Sequence, residues 1–212
     1  MIANRLYHFA ETNHIIYLQQ IGFRRGRGCK DQIARIIQPI QDGFHHKSMK
    51  RSVLALLDFS KAYDTVWREK LLTTMRDQGL PINLIRWIRF FLHNRTAKVK
   101  LNGTLSGSRQ MKQGLPLGAV LSPLLFLFYI NNLADILPHS NINSLFADDV
   151  SILAMKSRLK EAEEATQESV EMVTEWAKAW KLTLNADKLE ATFFTTPTNE
   201  ATCQPRVKVE KR

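Results

Sequence analysis

Cysteine is scarce in this sequence, which contains only Cys29 and Cys203 among 212 residues. Two cysteines cannot form a framework of several disulfides, and they cannot supply the four ligands of a structural zinc site by themselves. A secretion signal is also missing from the start of the sequence, because the first ten residues have no long apolar core. These absences predict a protein of a reducing, intracellular compartment, the nucleus or the cytoplasm.

Long hydrophobic runs are absent as well. The most apolar stretch, residues 119–130, is interrupted by Ser122 and Pro123, and it is shorter than the roughly 20 residues that a transmembrane helix needs. We therefore expect a buried helix at this position and no membrane partner. The apolar fraction of 44% over 212 residues is that of an ordinary globular protein with one well-formed core.

Acidic residues are few in the first part of the chain. Residues 1–118 contain 20 Lys and Arg but 7 Asp and Glu, a net charge of +13, whereas residues 119–212 contain 10 and 13, a net charge of −3. A basic first half that faces a phosphate backbone would explain this division. A solvated surface without a partner explains it equally well. Charge alone leaves both readings open.

Strand patterns alternate with helix patterns along the chain. The apolar run 52–57 predicts a buried strand that ends at Asp58, and Asn102-Gly103 predicts the turn of a hairpin after residues 97–101. Residues 144–153 predict another hairpin whose two-residue turn is Asp148-Asp149. The sequence therefore predicts an α+β domain with a mainly antiparallel sheet packed against helices.

The last third of the chain predicts a long acidic helix over residues 157–180. Residues 182–185 and 190–195 then have the apolar pattern of two short strands, which we expect to pair as a final hairpin. Beyond Pro197 the composition turns polar, and we expect a frayed tail.

Three carboxylates stand at predicted strand ends: Asp58, Asp148 and Asp149. If their strands are neighbours, the three acids converge at one edge of the sheet. Clustered carboxylates repel one another unless cations neutralise them, and two Mg²⁺ ions on shared carboxylates can activate a 3′-hydroxyl and stabilise a leaving pyrophosphate. The alternative is that Asp148-Asp149 is only a good turn and Asp58 only a helix cap.

Three segments contain or separate these acids: residues 57–64 (Leu-Asp-Phe-Ser-Lys-Ala-Tyr-Asp), residues 113–123 and residues 146–149 (Phe-Ala-Asp-Asp). In this order they resemble the first, second and third palm motifs of the non-LTR reverse transcriptases, the LINE-type and jockey-like family. Residues 20–27 resemble its upstream basic motif, and residues 185–188 its Asn-x-x-Lys segment. Five motifs in the family's order, over roughly residues 2–195, are a specific signal, although each alone is weak to moderate.

The resemblance implies an RNA-directed DNA polymerase with the palm of a right-hand polymerase and partial fingers over residues 1–196. Residues 197–212 would be a polar tail or the start of a thumb. The implied cofactor is Mg²⁺, as two ions, with Mn²⁺ as a substitute, and the implied partners are an RNA template, a DNA primer and dNTP. Asp58 and Asp148 would bridge both metal ions, and Asp149 would complete the acidic rim.

Further site residues follow from the same resemblance. Tyr63 would place its ring beneath the incoming sugar, where it collides with a 2′-hydroxyl; otherwise it is an ordinary core tyrosine. Gln113, Gly114 and Gly118 would contact nucleotide and template, the glycines because they carry no Cβ; alternatively they only form the turn before the buried helix. Lys188 would donate a proton to the departing pyrophosphate, unless it is an ordinary surface lysine.

Four cations in and just after the basic motif would hold template phosphates, although a solvated basic loop is an equally good reading. They are Arg24, Arg25, Arg27 and Lys30.

The sequence departs from the family pattern at Leu117, where the second motif normally has Gln, and at Ala119, where Ser is frequent. The family's fingers segment with its triphosphate-binding arginine, and its thumb, have no counterpart in these 212 residues. We therefore expect poor substrate positioning and slow or undetectable synthesis by this chain alone. The alternatives are a catalytically inactive remnant that still binds nucleic acid, and an unrelated two-metal phosphotransferase or nuclease.

Overall fold

Strands and helices alternate along the chain in the computed structural model, which describes residues 2–46, 49–197, 200 and 202–209. The strands are β1 Arg51–Leu57, β2 Thr96–Ala97, β3 Lys100–Leu101, β4 Thr104–Leu105, β5 Arg109–Gln110, β6 Ile142–Phe146, β7 Asp149–Lys156 and β8 Glu190–Phe194. The helices are α1 Ile2–Thr12, α2 Cys29–His45, α3 Ala62–Thr65, α4 Arg68–Asp77, α5 Ile82–Leu92, α6 Ser122–Ile130, α7 Leu133–Ile136 and α8 Leu159–Ala179, with a 3₁₀ helix at Ala186–Lys188.

The central sheet has four strands in the order β6-β7-β1-β8, all antiparallel to their neighbours. Strand β1 lies inside the sheet, and its side chains at Val53, Ala55 and Leu57 are buried. The predicted α+β class with a mainly antiparallel sheet is confirmed. The predicted final hairpin is wrong, because β8 pairs with β1 and residues 182–185 do not pair with it.

Helix α6 forms the centre of the core. Every residue in it except Pro123 is buried, and Phe126, Phe128 and Tyr129 are completely enclosed. A helix that is apolar on all sides has to be surrounded by protein, which here includes α4. The buried helix expected in the most apolar stretch is therefore confirmed. Within the described residues, no helix has the length and apolar content that crossing a bilayer requires.

Helix α8 covers β1 and β7 on one side of the sheet. The described residues 202–209 run along α8 and are not frayed. Val207 is buried in the core, and the backbone N–H of Lys208 donates to Gln167 Oε1 at 2.9 Å. The polar composition of this segment concealed its one buried apolar residue.

A thin hairpin extends from the body between α5 and α6. It consists of the pairs β2–β5 and β3–β4, and Asn102 and Gly103 form its tip with φ values of 47° and 83°. Positive φ at both turn residues is the geometry that Asn-Gly favours, so the predicted hairpin is confirmed. Every residue from 96 to 113 is exposed. We call residues 96–113 the exposed hairpin.

Arg68 fastens the base of the exposed hairpin to the core. Its Nε donates to the Gly114 carbonyl at 2.7 Å, its Nη1 to the Leu92 carbonyl at 2.8 Å, and its Nη2 to the Gln113 carbonyl at 2.9 Å. One guanidinium thus holds both ends of a segment that has little packing of its own.

Candidate active site

The three aspartates lie at one end of the central sheet. Leu57 of β1 is paired with Val150 of β7, so Asp58, directly after Leu57, and Asp149, directly before Val150, stand at adjacent ends of neighbouring strands. Asp148 lies in the turn that leads into β7. We call Asp58, Asp148 and Asp149 the acidic edge.

The turn of the hairpin β6–β7 differs from the predicted one by one residue. Phe146 pairs with Asp149, so the two turn residues are Ala147 and Asp148, and Asp149 is the first residue of β7. Ala147 has a φ of 56°, as the first turn residue of a type II′ hairpin does. Asp148 is therefore half-buried beside the sheet, whereas Asp149 is exposed.

The ionisation of two carboxylates of the acidic edge, Asp148 and Asp149, is opposed by their surroundings. Burial raises the pKa of Asp148, and the charge of Asp58 raises that pKa further. Asp149 is exposed as a residue, but its carboxyl lies beside the sheet, and partial loss of water around it raises its pKa, followed by the charges of Asp148 and Asp58. Lys188 lowers both of these pKa values. Like charges held together in this way make a positive ion at the edge favourable.

Lys188 is brought to the acidic edge by backbone pairing. The N–H of Asn185 donates to the Asp58 carbonyl at 2.8 Å, and the N–H of Ser60 donates to the Thr183 carbonyl at 2.8 Å. The 3₁₀ helix that follows carries the Lys188 ammonium to 3.0 Å from Asp58 Oδ2. This hydrogen bond raises the pKa of Lys188.

A closed metal cage is not formed. Among the residues that the structure describes, no three His, Cys, Asp or Glu side chains lie close enough together to hold a metal ion. The donor set nevertheless fits Mg²⁺ or Mn²⁺, since these ions prefer carboxylate oxygens. The Lys188 ammonium beside Asp58 also shows that a cation is accommodated there.

Tyr63 borders the same recess as Asp58 and Asp148. Its ring stacks on Phe126 with ring centroids 4.6 Å apart, and Phe23 meets it edge-on at 6.4 Å. Its hydroxyl is buried without a hydrogen-bond partner among the described residues, and burial raises its pKa. The recess is also lined by Lys188 and Leu117, and the Leu117 side chain is 71% exposed.

Gly114 approaches the chain's own backbone. A Cβ at this position would lie 2.5 Å from the Asp64 carbonyl oxygen, and φ is +76°. The N–H of Gly114 donates to Val66 at 2.9 Å, so the second motif is bound to the segment after the first. Gly114 is buried, and the expectation that its missing Cβ admits template or nucleotide is wrong. Gly118 has a φ of +79° and open space around it, and the side chain of Gln113 is exposed.

Arg24 does not face solvent as a phosphate ligand would. It is 9% exposed, and its guanidinium forms an ion pair with Glu11 at 2.5 Å and donates to the carbonyls of Tyr17 and Gln20. The hydrogen bond from Arg24 lowers the pKa of Glu11. The expectation that Arg24 holds template phosphates is wrong, because its donors are already used inside the protein.

The other cations of the basic motif are more accessible. Arg25 is exposed, although its guanidinium lies over the Tyr7 ring and donates to Asn4 at 3.0 Å. Lys30 is exposed in the first turn of α2. Arg27 is partly buried and donates to the Leu18 carbonyl. Arg25 and Lys30 thus remain available for a phosphate, and Arg27 is partly committed to the fold.

A second basic surface was missed in the sequence. Residues 78–134 contain no Asp or Glu but seven Lys and Arg. Four of them lie on the exposed hairpin and are exposed: Lys98, Lys100, Arg109 and Lys112. The signal that would have revealed this surface is the run of 57 residues without Asp or Glu. A charge total over the first half of the chain conceals that run.

The chain shares its fold with solved telomerase structures. It matches apo telomerase from Candida tropicalis, truncated from its C-terminal domain, with a TM-score of 0.65 and 13% identity over 93% of this chain and 40% of that chain. Telomerase from Candida albicans, in complex with a TWJ fragment of telomeric RNA, matches with a TM-score of 0.64 and 11% identity over 90% of this chain and 34% of that chain. The class of the fold is therefore the palm-like α+β fold found in these polymerases.

The family is shown by sequence. The family model described as "Reverse transcriptase (RNA-dependent DNA polymerase)" matches residues 1–208. The chain belongs to this family, and the resemblance noted in its motifs is confirmed.

Curated relatives come from non-LTR elements. The probable RNA-directed DNA polymerase from transposon BS of Drosophila melanogaster is 29% identical over 206 residues, which are 93% of this chain and 22% of the relative. The RNA-directed DNA polymerase from mobile element jockey of Drosophila melanogaster is 27% identical over 200 residues, 92% of this chain and 22% of the relative. The chain thus spans about a fifth of the length of these relatives.

Proposed function

We propose that this protein is the RNA-directed DNA polymerase domain of a non-LTR retrotransposon, which transfers nucleotides from dNTP to the 3′-hydroxyl of a DNA primer on an RNA template. The observation that carries the proposal is the acidic edge. Asp58 follows the end of β1, Asp149 begins the neighbouring β7, and Asp148 lies in the turn beside them. The charge of Asp58 raises the pKa values of Asp148 and Asp149. A nucleotidyl transfer site needs such an edge to collect divalent cations.

Asp58 and Asp148 would hold two Mg²⁺ ions, with Asp149 at the rim. When bound, these ions supply neutralisation of the phosphate charge and activation of the primer hydroxyl. The Lys188 ammonium lies beside Asp58, is otherwise exposed and belongs to a residue that lines the recess. It would donate its Nζ proton to the departing pyrophosphate.

Tyr63 would select deoxyribose over ribose. Its ring borders the recess that Asp58 and Asp148 line, and the stack on Phe126 keeps the ring from turning aside. A fixed ring of this kind leaves no room for a 2′-hydroxyl. Leu117 and Gly118, both exposed, would lie next to the nascent base pair, and Gln113 at the edge of that contact.

Exposed cations of the protein would bind the phosphate backbones of template and primer. Arg25 and Lys30 are both exposed, and the exposed hairpin adds four cations without a nearby acid in sequence. Lys and Arg that neutralise phosphates release counterions, so the binding is independent of sequence and sensitive to salt. The catalytically inactive remnant is the weaker candidate, since Asp58, Asp148, Tyr63 and Lys188 all line the recess.

Primer extension tests the proposal. We expect a chimera, in which this chain replaces the matching segment of the jockey polymerase, to extend a DNA primer on an RNA template with Mg²⁺. Leu117→Gln in the chimera should speed extension, because the glutamine restores a polar contact beside the base pair. The chain by itself should be slow, because positioning of the triphosphate dominates this chemistry. A folded chimera that extends no primer, with or without Leu117→Gln, would favour the inactive remnant.

A further inference from the structure

Gln20 is buried beside the turn that carries Asp148. It is 1% exposed, and its side-chain amide reaches Ala147 with both of its polar atoms. The Oε1 atom accepts the N–H of Ala147 at 2.9 Å, and the Nε2 atom donates to the carbonyl of Ala147 at 3.3 Å. A single side chain therefore satisfies both backbone groups of the residue that precedes Asp148.

The backbone around Gln20 is fixed to the neighbouring strand. Leu145 of β6 donates its N–H to the Gln19 carbonyl at 3.1 Å, and Ile21 donates its N–H to the Leu145 carbonyl at 2.8 Å. The pairing is parallel, with Gln20 opposite Leu145. Oε1 of Gln20 also accepts the N–H of Gly22 at 2.9 Å. The side-chain amide of Gln20 is thus held by hydrogen bonding within its own segment as well as by its contacts with the turn.

Gly22 lies directly against the backbone of the same turn. A Cβ at this position would stand 2.3 Å from the Ala147 nitrogen and 2.9 Å from the Phe146 carbonyl carbon. No side chain fits there, so the segment 19–22 packs directly on the turn backbone. Ala147 needs such support because its φ of 56° is a left-handed conformation that costs energy for an alanine.

We infer that Gln20 is a positioning residue that fixes the turn Ala147-Asp148, and through it the direction of the Asp148 carboxylate. The inference rests on the proposed function, because the direction of the Asp148 carboxylate matters only if that carboxylate holds a metal ion. It also gives the first residues of the upstream motif a different task from the phosphate binding assigned to its arginines. Gln20 needs both an acceptor and a donor at the end of its side chain, and among residues of its length only glutamine has both.

Hydrogen exchange and metal binding test this role in the chain as it exists. Gln20→Met keeps the side-chain length but leaves the Ala147 N–H and carbonyl without partners. We expect the Ala147 amide to exchange about ten-fold faster or more in this variant, whereas the β1 amides keep their wild-type rates. Mn²⁺, titrated against the protein and followed by the EPR signal of the free ion, should bind several-fold more weakly.

The matched control is Gln19→Met, one residue earlier. The Gln19 carbonyl pairs with Leu145, but its side-chain oxygen has no hydrogen-bond partner among the described residues. This variant should keep wild-type exchange at Ala147 and wild-type Mn²⁺ affinity. An unchanged Ala147 amide and unchanged Mn²⁺ affinity in folded Gln20→Met would overturn the inference, as would equal losses in the two variants.

A measurement on the wild-type protein decides the matter if Gln20→Met does not fold. The Ala147 amide should be protected to the same degree as the Leu145 amide, which pairs with Gln19. Exchange of the Ala147 amide at the rate of an open turn would overturn the inference. Since neither exchange nor Mn²⁺ binding depends on primer extension, absence of synthesis by the folded chimera would contradict the proposed function and leave this result standing.

Discussion

The ammonium of Lys188 lies 3.0 Å from Oδ2 of Asp58, at the end of the strand where a divalent cation would bind. The lysine side chain is 65% exposed and the aspartate side chain 18% exposed, so the lysine can move away into solvent while the carboxylate stays in place. The Lys188 ammonium is therefore a positive charge that the chain itself supplies to Asp58. A metal ion that binds Asp58 has to compete with this ammonium.

This competition leads to a prediction for Lys188→Gln. We expect the variant to bind Mn²⁺ about two-fold more tightly than the wild-type protein, because the metal ion no longer competes with the ammonium and an exposed ion pair of this kind is weak. Mn²⁺ titration gives the measurement. The control is Lys181→Gln, since the Lys181 ammonium lies over the Trp67 ring and has no ion pair among those described. Weaker Mn²⁺ binding by Lys188→Gln would show that the lysine supports the metal site.

Asp148→Asn should stabilise the metal-free protein. The pKa of Asp148 is raised, chiefly by burial and then by Asp58, so the folded state binds the proton more tightly than the unfolded state. The ionised carboxyl therefore lowers stability above its folded pKa, and this cost vanishes as the pH falls below the ordinary pKa of an aspartate. We expect a Tm higher by roughly 1–3 °C near neutral pH.

The Tm gain of Asp148→Asn should shrink as the solution is acidified, and Mg²⁺ should raise the Tm of the wild-type protein more than that of the variant. Thermal melts at several pH values, with and without Mg²⁺, provide the check. A variant less stable than the wild-type protein at neutral pH would mean that Asp148 is a structural residue of the turn.

Tyr63 offers a pair of variants that separates its ring from its hydroxyl. In the chimera, Tyr63→Ala should raise the incorporation of ribonucleotides relative to deoxynucleotides. Tyr63→Phe should keep the wild-type discrimination and the wild-type stability or more, because the hydroxyl is buried without a partner in the described structure. Competing incorporation of UTP and dTTP measures the ratio. Equal ratios in all three proteins would make Tyr63 an ordinary core residue packed on Phe126.

The exposed hairpin should contribute to nucleic-acid affinity. Changing both Lys98 and Lys100 to Gln removes two exposed cations, and the slope of log K against log salt should fall by roughly 1.5 units. Lys160 and Lys178, exposed on α8, give a matched control, in which the same change should leave the slope as it is. Filter binding of a single-stranded RNA across a salt series gives both slopes. Equal slopes in the two double variants would show that the hairpin cations do not contact the phosphates of the RNA.

Much of the site could be predicted because its residues follow apolar strands in sequence. The run that ends at Asp58 and the run around Asp148 each identify a strand locally, and the family motifs then connect them. The register of the turn could not be predicted, because aspartate is a good turn residue at either position. What places Ala147 in the turn is Gln20, which is remote in sequence and adjacent in space.

Contacts between distant segments also explain the other errors. Arg24 has the sequence context of a surface arginine, and only the fold brings Glu11 to its guanidinium. Gly114 has the pattern of a turn glycine, but its close neighbour is the backbone of Asp64. Strand β8 follows residues 182–185 closely enough in sequence to suggest a hairpin, but it pairs with β1 instead. In each case the local sequence pattern was interpreted correctly, but the contacting residue lies elsewhere in the sequence and is brought close only by the fold.

The central claim is that Asp58 and Asp148 together hold the divalent cations of nucleotidyl transfer. Its most direct test is Mn²⁺ titration of the wild-type chain, Asp58→Asn and Asp148→Asn, with Asp77→Asn as the control, because Asp77 is exposed at the end of α4. We expect the wild-type chain and Asp77→Asn to bind Mn²⁺ with the same affinity, and Asp58→Asn and Asp148→Asn each to lose that binding. Full Mn²⁺ binding by either of these two variants would contradict the account.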